Sequence, residues 1–229
     1  MKMAALIALG AIAGAANADV TYTDSQNELF DNGLGHLDIA SVTVGHDAAN
    51  LYFTLTLRSS VDAPTWGKYC IGIDSPNASV NSSGNGWGRN VNWNGQGIDF
   101  WAAAWVDNGG SDFGGELRGM TNSGNNDNNL LAATYGDPGI SGSAAGTVVA
   151  FTLSRAVLGL NEGDTFRFDV LTTGGGADPG VDHLSRLDQS TSGWGQTSVA
   201  GEFLSYTIPT PGSAALLGLG ALAIGRRRR

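Results

Sequence analysis

The sequence predicts an all-β protein, a two-sheet antiparallel β-sandwich of jelly-roll type. Three observations carry that expectation. Apolar and polar residues alternate in one short run after another, the period-2 signature of half-buried strands. Glycine accounts for 35 of the 229 residues, about twice its usual share, and each glycine inside a helix would cost about 1 kcal/mol relative to alanine. Stretches rich in Asn, Gly and Ser separate the alternating runs, as loops on a sheet scaffold do.

The first clear strand, Ile39 to Val44, turns across Gly45 to Asn50 into Leu51 to Leu57. There Leu51, Phe53, Leu55 and Leu57 share one face, and Tyr52, Thr54 and Thr56 the other. Tyr69, Ile71 and Ile73 alternate with Cys70 and Gly72 in a strand that ends at Asp74. Ile98 to Val106 sets Trp101 and Trp105 opposite Phe100, and shorter candidates lie at Glu116 to Met120 and Leu130 to Thr134. Val148 to Leu153, Thr165 to Leu171 and Phe203 to Ile208 complete the set, with one helical turn at Ser154 to Leu158 capped by Ser154. Phe53, Leu55, Ile71, Phe166 and Phe168 are the expected core. Residues 75–97 and 107–129 read as long polar loops, and loops of that length are commonly functional.

Composition removes several function classes. Twelve Lys and Arg stand against 21 Asp and Glu, for a net charge of −9, and only 14% of residues are charged. A nucleic-acid partner is excluded, since counterion release needs a positive face. The single cysteine, Cys70, cannot form an intramolecular disulfide; mid-strand among apolar neighbours, it reads as a small buried hydrophobe. No Cys/His spacing suits structural zinc.

Both ends read as processing segments outside the fold. Residues 1–18, MKMAALIALGAIAGAANA, combine a positive Lys2, an apolar stretch and an A-x-A site at Ala16 and Ala18, the pattern of a signal peptide whose removal leaves Asp19 first. Residues 209–229 begin with Pro209-Thr210-Pro211, continue through an apolar segment and end in Arg226, Arg227, Arg228 and Arg229. A helix over that segment would be about 21 Å long, short of a ~30 Å hydrocarbon core, with its arginines held on the cytoplasmic side. Residues 19–208 remain as one sandwich domain. Without Lys2 and the four arginines it keeps seven basic residues against 21 acidic ones, an acidity that favours solubility and attracts divalent cations.

The C-terminal order of Pro-x-Pro, short apolar helix and arginine cluster resembles the PEP-CTERM sorting signal of Gram-negative-type bacteria. The resemblance implies an exosortase-type membrane transpeptidase as partner, together with the secretion machinery. It also implies transient membrane insertion through the C-terminal helix and a mature protein at the cell envelope, outer surface or extracellular matrix. Thr210 stands where the name-giving motif has Glu, so the partner implied is that enzyme or a variant of it. A second stretch, DIASVTVGHDAANLYFTLTL followed by YCIGIDS, resembles the opening strands of family 9 carbohydrate-binding modules and related DOMON-like sandwiches. It implies the same fold, and polysaccharide as a ligand class.

Catalytic motifs are lacking. There is no G-x-S-x-G, and His36, His46 and His183 fall in separate polar contexts, so the expectation is a non-catalytic exported surface or matrix protein. The alternative is a carbohydrate-binding module. For that reading the twice-repeated Gly-Trp-Gly offers Trp87 and Trp194, because flanking glycines leave an indole face open to a sugar ring. Asn85 and Asn90 are the nearby hydrogen-bonding groups. No cofactor is called for. Calcium is the metal that loop oxygens could take, with Asp74, the Asp107–Asp112 stretch, and Asp178 with Asp182 as candidates, none in an EF-hand pattern.

Overall fold

The structure, a computed structural model, describes residues 19–62, 64, 66–107, 112–121, 128–133 and 139–210. Ala16, Ala18, Pro211 and Arg226 to Arg229 lie outside the described residues. So do both terminal helices expected from the sequence. Among the described residues the strands are β1 (Val20–Thr23), β2 (Ile39–His46), β3 (Asn50–Leu57), β4 (Lys68–Asp74), β5 (Val91–Asn92), β6 (Phe100–Asp107) and β7 (Asp112–Met120). They continue as β8 (Asn128–Ala133), β9 (Ile140–Ala145), β10 (Val148–Ser154), β11 (Thr165–Thr173), β12 (Asp182–His183), β13 (Ser198–Val199) and β14 (Leu204–Thr207).

Two antiparallel sheets form the expected all-β sandwich. One runs β1-β2-β3-β10-β9, and the other runs β12-β11-β4-β6-β7-β8, with β14 sharing the outer edge of β11 with β12. The β2–β3 hairpin is set by its turn: Asp47 Oδ1 accepts the N–H groups of Ala49 and Asn50, both at 2.7 Å, and Tyr52 Oη donates to Oδ2. That register pairs Val44 with Phe53 and Val42 with Leu55, so these four side chains, with Ile39, Leu51 and Leu57, enter the inter-sheet core. Phe53 then meets Phe168 edge-on at 5.4 Å, and Tyr22 meets the same ring at 5.3 Å. Phe53, Leu55, Ile71, Phe166 and Phe168 are all fully buried, as their alternation requires. The turn at Ser154 also forms: Leu158 N donates to Ser154 O, and Ser154 Oγ accepts the N–H of Val157.

The centre of the second sheet, β4, β6 and β11, is buried on both faces. Its inner side belongs to the inter-sheet core, while Cys70, Trp101, Ala103 and Leu171 face away and pack under Val91, Trp93, Ile98, Ala200 and Phe203. The segment 75–99 therefore lies across this outer face as a third layer. Asp99 fastens it, since Oδ1 accepts the N–H groups of Val80 and Asn81 and Oδ2 that of Ser75. A short parallel ladder of β5 with β13 ties the layer to the 184–203 segment.

Candidate functional site

Three constellations surround the second sheet. The first joins residues distant in sequence. Asp169 lies on β11, His183 on β12 and Ser198 on β13. His183 Nδ1 stands 2.6 Å from Asp169 Oδ2, and its Nε2 stands 3.1 Å from Ser198 Oγ. With a carboxylate accepting at Nδ1, the ring's remaining lone pair receives the serine hydroxyl proton. The connectivity is that of an acid–histidine–serine relay, but all three residues are fully buried. The serine oxygen also accepts the N–H of Gly180, and a Cβ on Gly180 would overlap the imidazole. A nucleophile needs room for a reacting atom beside it; here that space is filled by backbone. The relay locks β11, β12 and β13 together.

The second constellation is aromatic. Trp87 has a left-handed backbone (φ 60°) and packs on Trp101 and Trp105 at 6.4 and 5.9 Å. Its Nε1 donates to Glu116 Oε2, and Arg89 covers its ring. The preceding Gly86 is obligatory for this approach, because a Cβ there would overlap the Trp101 indole. Trp87 is thus a half-buried anchor of the outer layer. Asn85 is buried, its Nδ2 donating to the carbonyls of Arg89 and Val91. Asn90 accepts at its side chain from Thr197 Oγ1 and at its carbonyl from Ser198 N. These two asparagines hold the layer in place.

Trp194 differs. It lies over Gly174, just past the end of β11, with 36% of its surface exposed. Its ring meets Trp66, 39% exposed, at 5.7 Å and Phe30 at 5.3 Å, and Trp66 packs against His36 at 4.7 Å. Since Thr173 pairs with Lys68 across the sheet, the two indoles mark one end of the strands. Trp66 was not anticipated: its context, Thr65-Trp66-Gly67, has the flanking glycine on one side only.

The third is a polar cleft of about 710 Å³ at the opposite end of β4, lined by Asp74, Asn81, Asn92, Gln96 and Arg167 among others. Asp74 pairs with Arg167 at 3.2 Å, and burial raises its carboxyl above the usual range. The register places Asp74 beyond Ile73, opposite Phe100, whereas Asp107 lies past Trp105 at the other end of the pair. These two calcium candidates therefore belong to separate sites. Asp107 and Asp112 are register partners across β6 and β7. Asp178 caps a local turn through its backbone, while its sequence neighbour Asp182 is buried among other carboxylates. Asp19 sits exposed ahead of β1, against Gly45. Pro209 and Thr210 leave β14 beside the 161–164 turn, where Gly163 N donates to Ile208 O.

No family model matches the sequence, and no curated protein is similar to it at a significant level. Among the described residues no helix is long and apolar enough to cross a membrane.

Proposed function

We propose that this chain is an exported, non-catalytic protein of the bacterial envelope or extracellular matrix, sorted by an exosortase-type transpeptidase that acts at Pro209-Thr210-Pro211. The observation that carries this reading is the order of Pro-x-Pro, apolar segment and four arginines at the C-terminus. The boundaries of the fold support it: among the described residues β1 opens at Val20 and β14 ends at Thr207, just before Pro209. Every strand among the described residues lies between the two end segments. The burial of Ser198 supports the non-catalytic part. Replacing Arg226 to Arg229 with glutamine is expected to leave an unprocessed precursor in the inner membrane. Mature protein of unchanged mass and location after that change would overturn the reading.

A second reading, polysaccharide binding, is favoured by one observation: the two exposed indoles, Trp66 and Trp194, are adjacent. Sugar rings pack their C–H faces on such surfaces. Trp66→Ala with Trp194→Ala should abolish retention on a polysaccharide column while the protein stays folded. Failure of the wild-type protein to retain any glycan would remove this reading.

A further inference from the structure

The edges of the two sheets meet where the segment between β1 and β2 passes β12. Asp24 follows β1, Glu28 lies within the segment, and Asp182 belongs to β12. Each offers a carboxylate oxygen, and these three atoms lie within 4.8 Å of one another. Asp38, wholly buried, ends the same segment and repels all three electrostatically. Arg58 enters the group with its Nε 2.5 Å from Asp38 Oδ2; its charge offsets part of the repulsion on Glu28.

A second feature separates this group from ordinary surface acids. Asp24 Oδ2, both carboxylate oxygens of Glu28 and Asp38 Oδ1 are shut off from solvent and accept no hydrogen bond from another residue. Buried polar atoms are almost always paired, so the three unpaired carboxylate oxygens of Asp24 and Glu28, two members of this group, point to a missing partner. Proton sharing does not supply it. A shared proton needs one carboxyl to donate to another, yet no hydrogen bond joins these groups, and Asp182 already accepts from Ile39 N and His183 N. A hard cation satisfies several carboxylate oxygens at once. Calcium–oxygen distances of about 2.3–2.6 Å let ligands on one ion stand up to roughly 4.6–5.2 Å apart, so oxygens within 4.8 Å of one another can share it. Magnesium sits at about 2.0–2.1 Å and keeps several waters, a poor match for oxygens closed to solvent.

We propose that Asp24, Glu28 and Asp182 bind one calcium ion that clasps the edge of the first sheet to the edge of the second. The ion also fixes the segment carrying Phe30, whose ring packs on Trp194. Its occupancy is therefore visible in indole fluorescence. None of this depends on whether the protein is sorted or binds a glycan.

The test uses the purified full-length chain, stripped with EDTA and titrated calorimetrically with CaCl2 or MgCl2 to about 10 mM, above the ~10⁻⁴–10⁻³ M range of extracellular calcium modules. One calcium per chain is expected, with a rise in melting temperature and a change in tryptophan emission that magnesium does not reproduce at equal concentration. Glu28→Gln and Asp24→Asn should each weaken calcium binding at least tenfold. In EDTA both variants should melt at or above the wild-type temperature, because each replaces an acid whose carboxyl oxygens are buried without a partner. That second measurement keeps a loss of binding distinct from a failure to fold. Asp74→Asn should bind calcium as the wild type does. The proposal is overturned if the wild type shows no saturable calcium binding, if both variants bind undiminished, or if Asp74→Asn alone loses the ion.

Discussion

Trp93→Ala tests whether the outer layer is a second core or a set of solvated loops. Trp93 is 2% exposed. Its ring meets Phe203 edge-on at 5.5 Å and Trp101 at 6.3 Å, and it lies directly over Gly72 of β4. Its Nε1 donates to the buried carbonyl of Gly84 at 3.1 Å. Truncating a buried Trp typically costs about 3–5 kcal/mol, and stranding a buried carbonyl adds about 1–3 kcal/mol. These terms overlap, so roughly 5 kcal/mol is expected. For a domain of this size each kcal/mol lowers the melting temperature by about 2–4 °C, giving a fall of about 10–20 °C in a thermal melt followed by circular dichroism. Trp194→Ala is the control, since its edge-on contacts are worth only about 0.5–1.5 kcal/mol each. A Trp93→Ala protein melting within a degree or two of wild type would refute the reasoning, because it would mean that the layer contributes nothing to the fold.

Two further outcomes are expected. Hydrogen bonds from Tyr52 and the 49–50 backbone hold the Asp47 carboxyl down to about 2. Its contribution to stability is therefore complete above the unfolded value near pH 4 and is lost as pH falls through 2. Asp47→Ala should shrink the acid-induced loss of stability in that window, and an unchanged acid limb in urea melts would count against the turn. Burial raises the Cys70 thiol to about 12, so it should react with a thiol reagent only at the rate of global unfolding; prompt labelling of the native protein would show that the outer layer opens by itself.

Period-2 alternation made the inter-sheet core legible, because the apolar faces of β3 and β11 have no other way to leave water. β1 was not visible: Val-Thr-Tyr-Thr has a single apolar body, Tyr22, that reaches the core. β9, Ile-Ser-Gly-Ser-Ala-Ala, is too small and polar to signal a strand. The outer layer did leave a trace. Tyr-Cys-Ile-Gly-Ile and Phe-Trp-Ala-Ala-Ala-Trp-Val are nearly continuous apolar runs, the mark of strands covered on both faces. What covers them lies in Asn- and Gly-rich sequence, where Trp93 looks like any loop residue. The Asp169–His183–Ser198 relay and the Asp24–Glu28–Asp182 group are assembled by strand pairing alone, so no local spacing announces either.

The acidic excess has a structural logic that also singles out the proposed ion site. Long irregular segments must find acceptors for backbone N–H groups that no ladder satisfies, and this chain uses buried carboxylates. Asp99 takes three such N–H groups, Asp182 takes two, Asp38 takes that of Asn27, and Asp169 takes that of Ser185. A carboxylate employed in this way is stabilised by the hydrogen bonds it receives, and its burial needs no further explanation. Glu28 takes no hydrogen bond from another residue at either oxygen, only its own backbone N–H easing the charge, and Asp24 accepts only from its neighbour Ser25. Burial has pushed the Asp24 carboxyl up to about 8 and raised that of Glu28, where Arg58 offsets only part of the effect. Where the other buried acids fasten backbone, across the fold or at the next residue, these two are tied to nothing beyond the N–H of Ser25 and of Glu28 itself. A cation drawn from outside is what would give them, like the others, a partner.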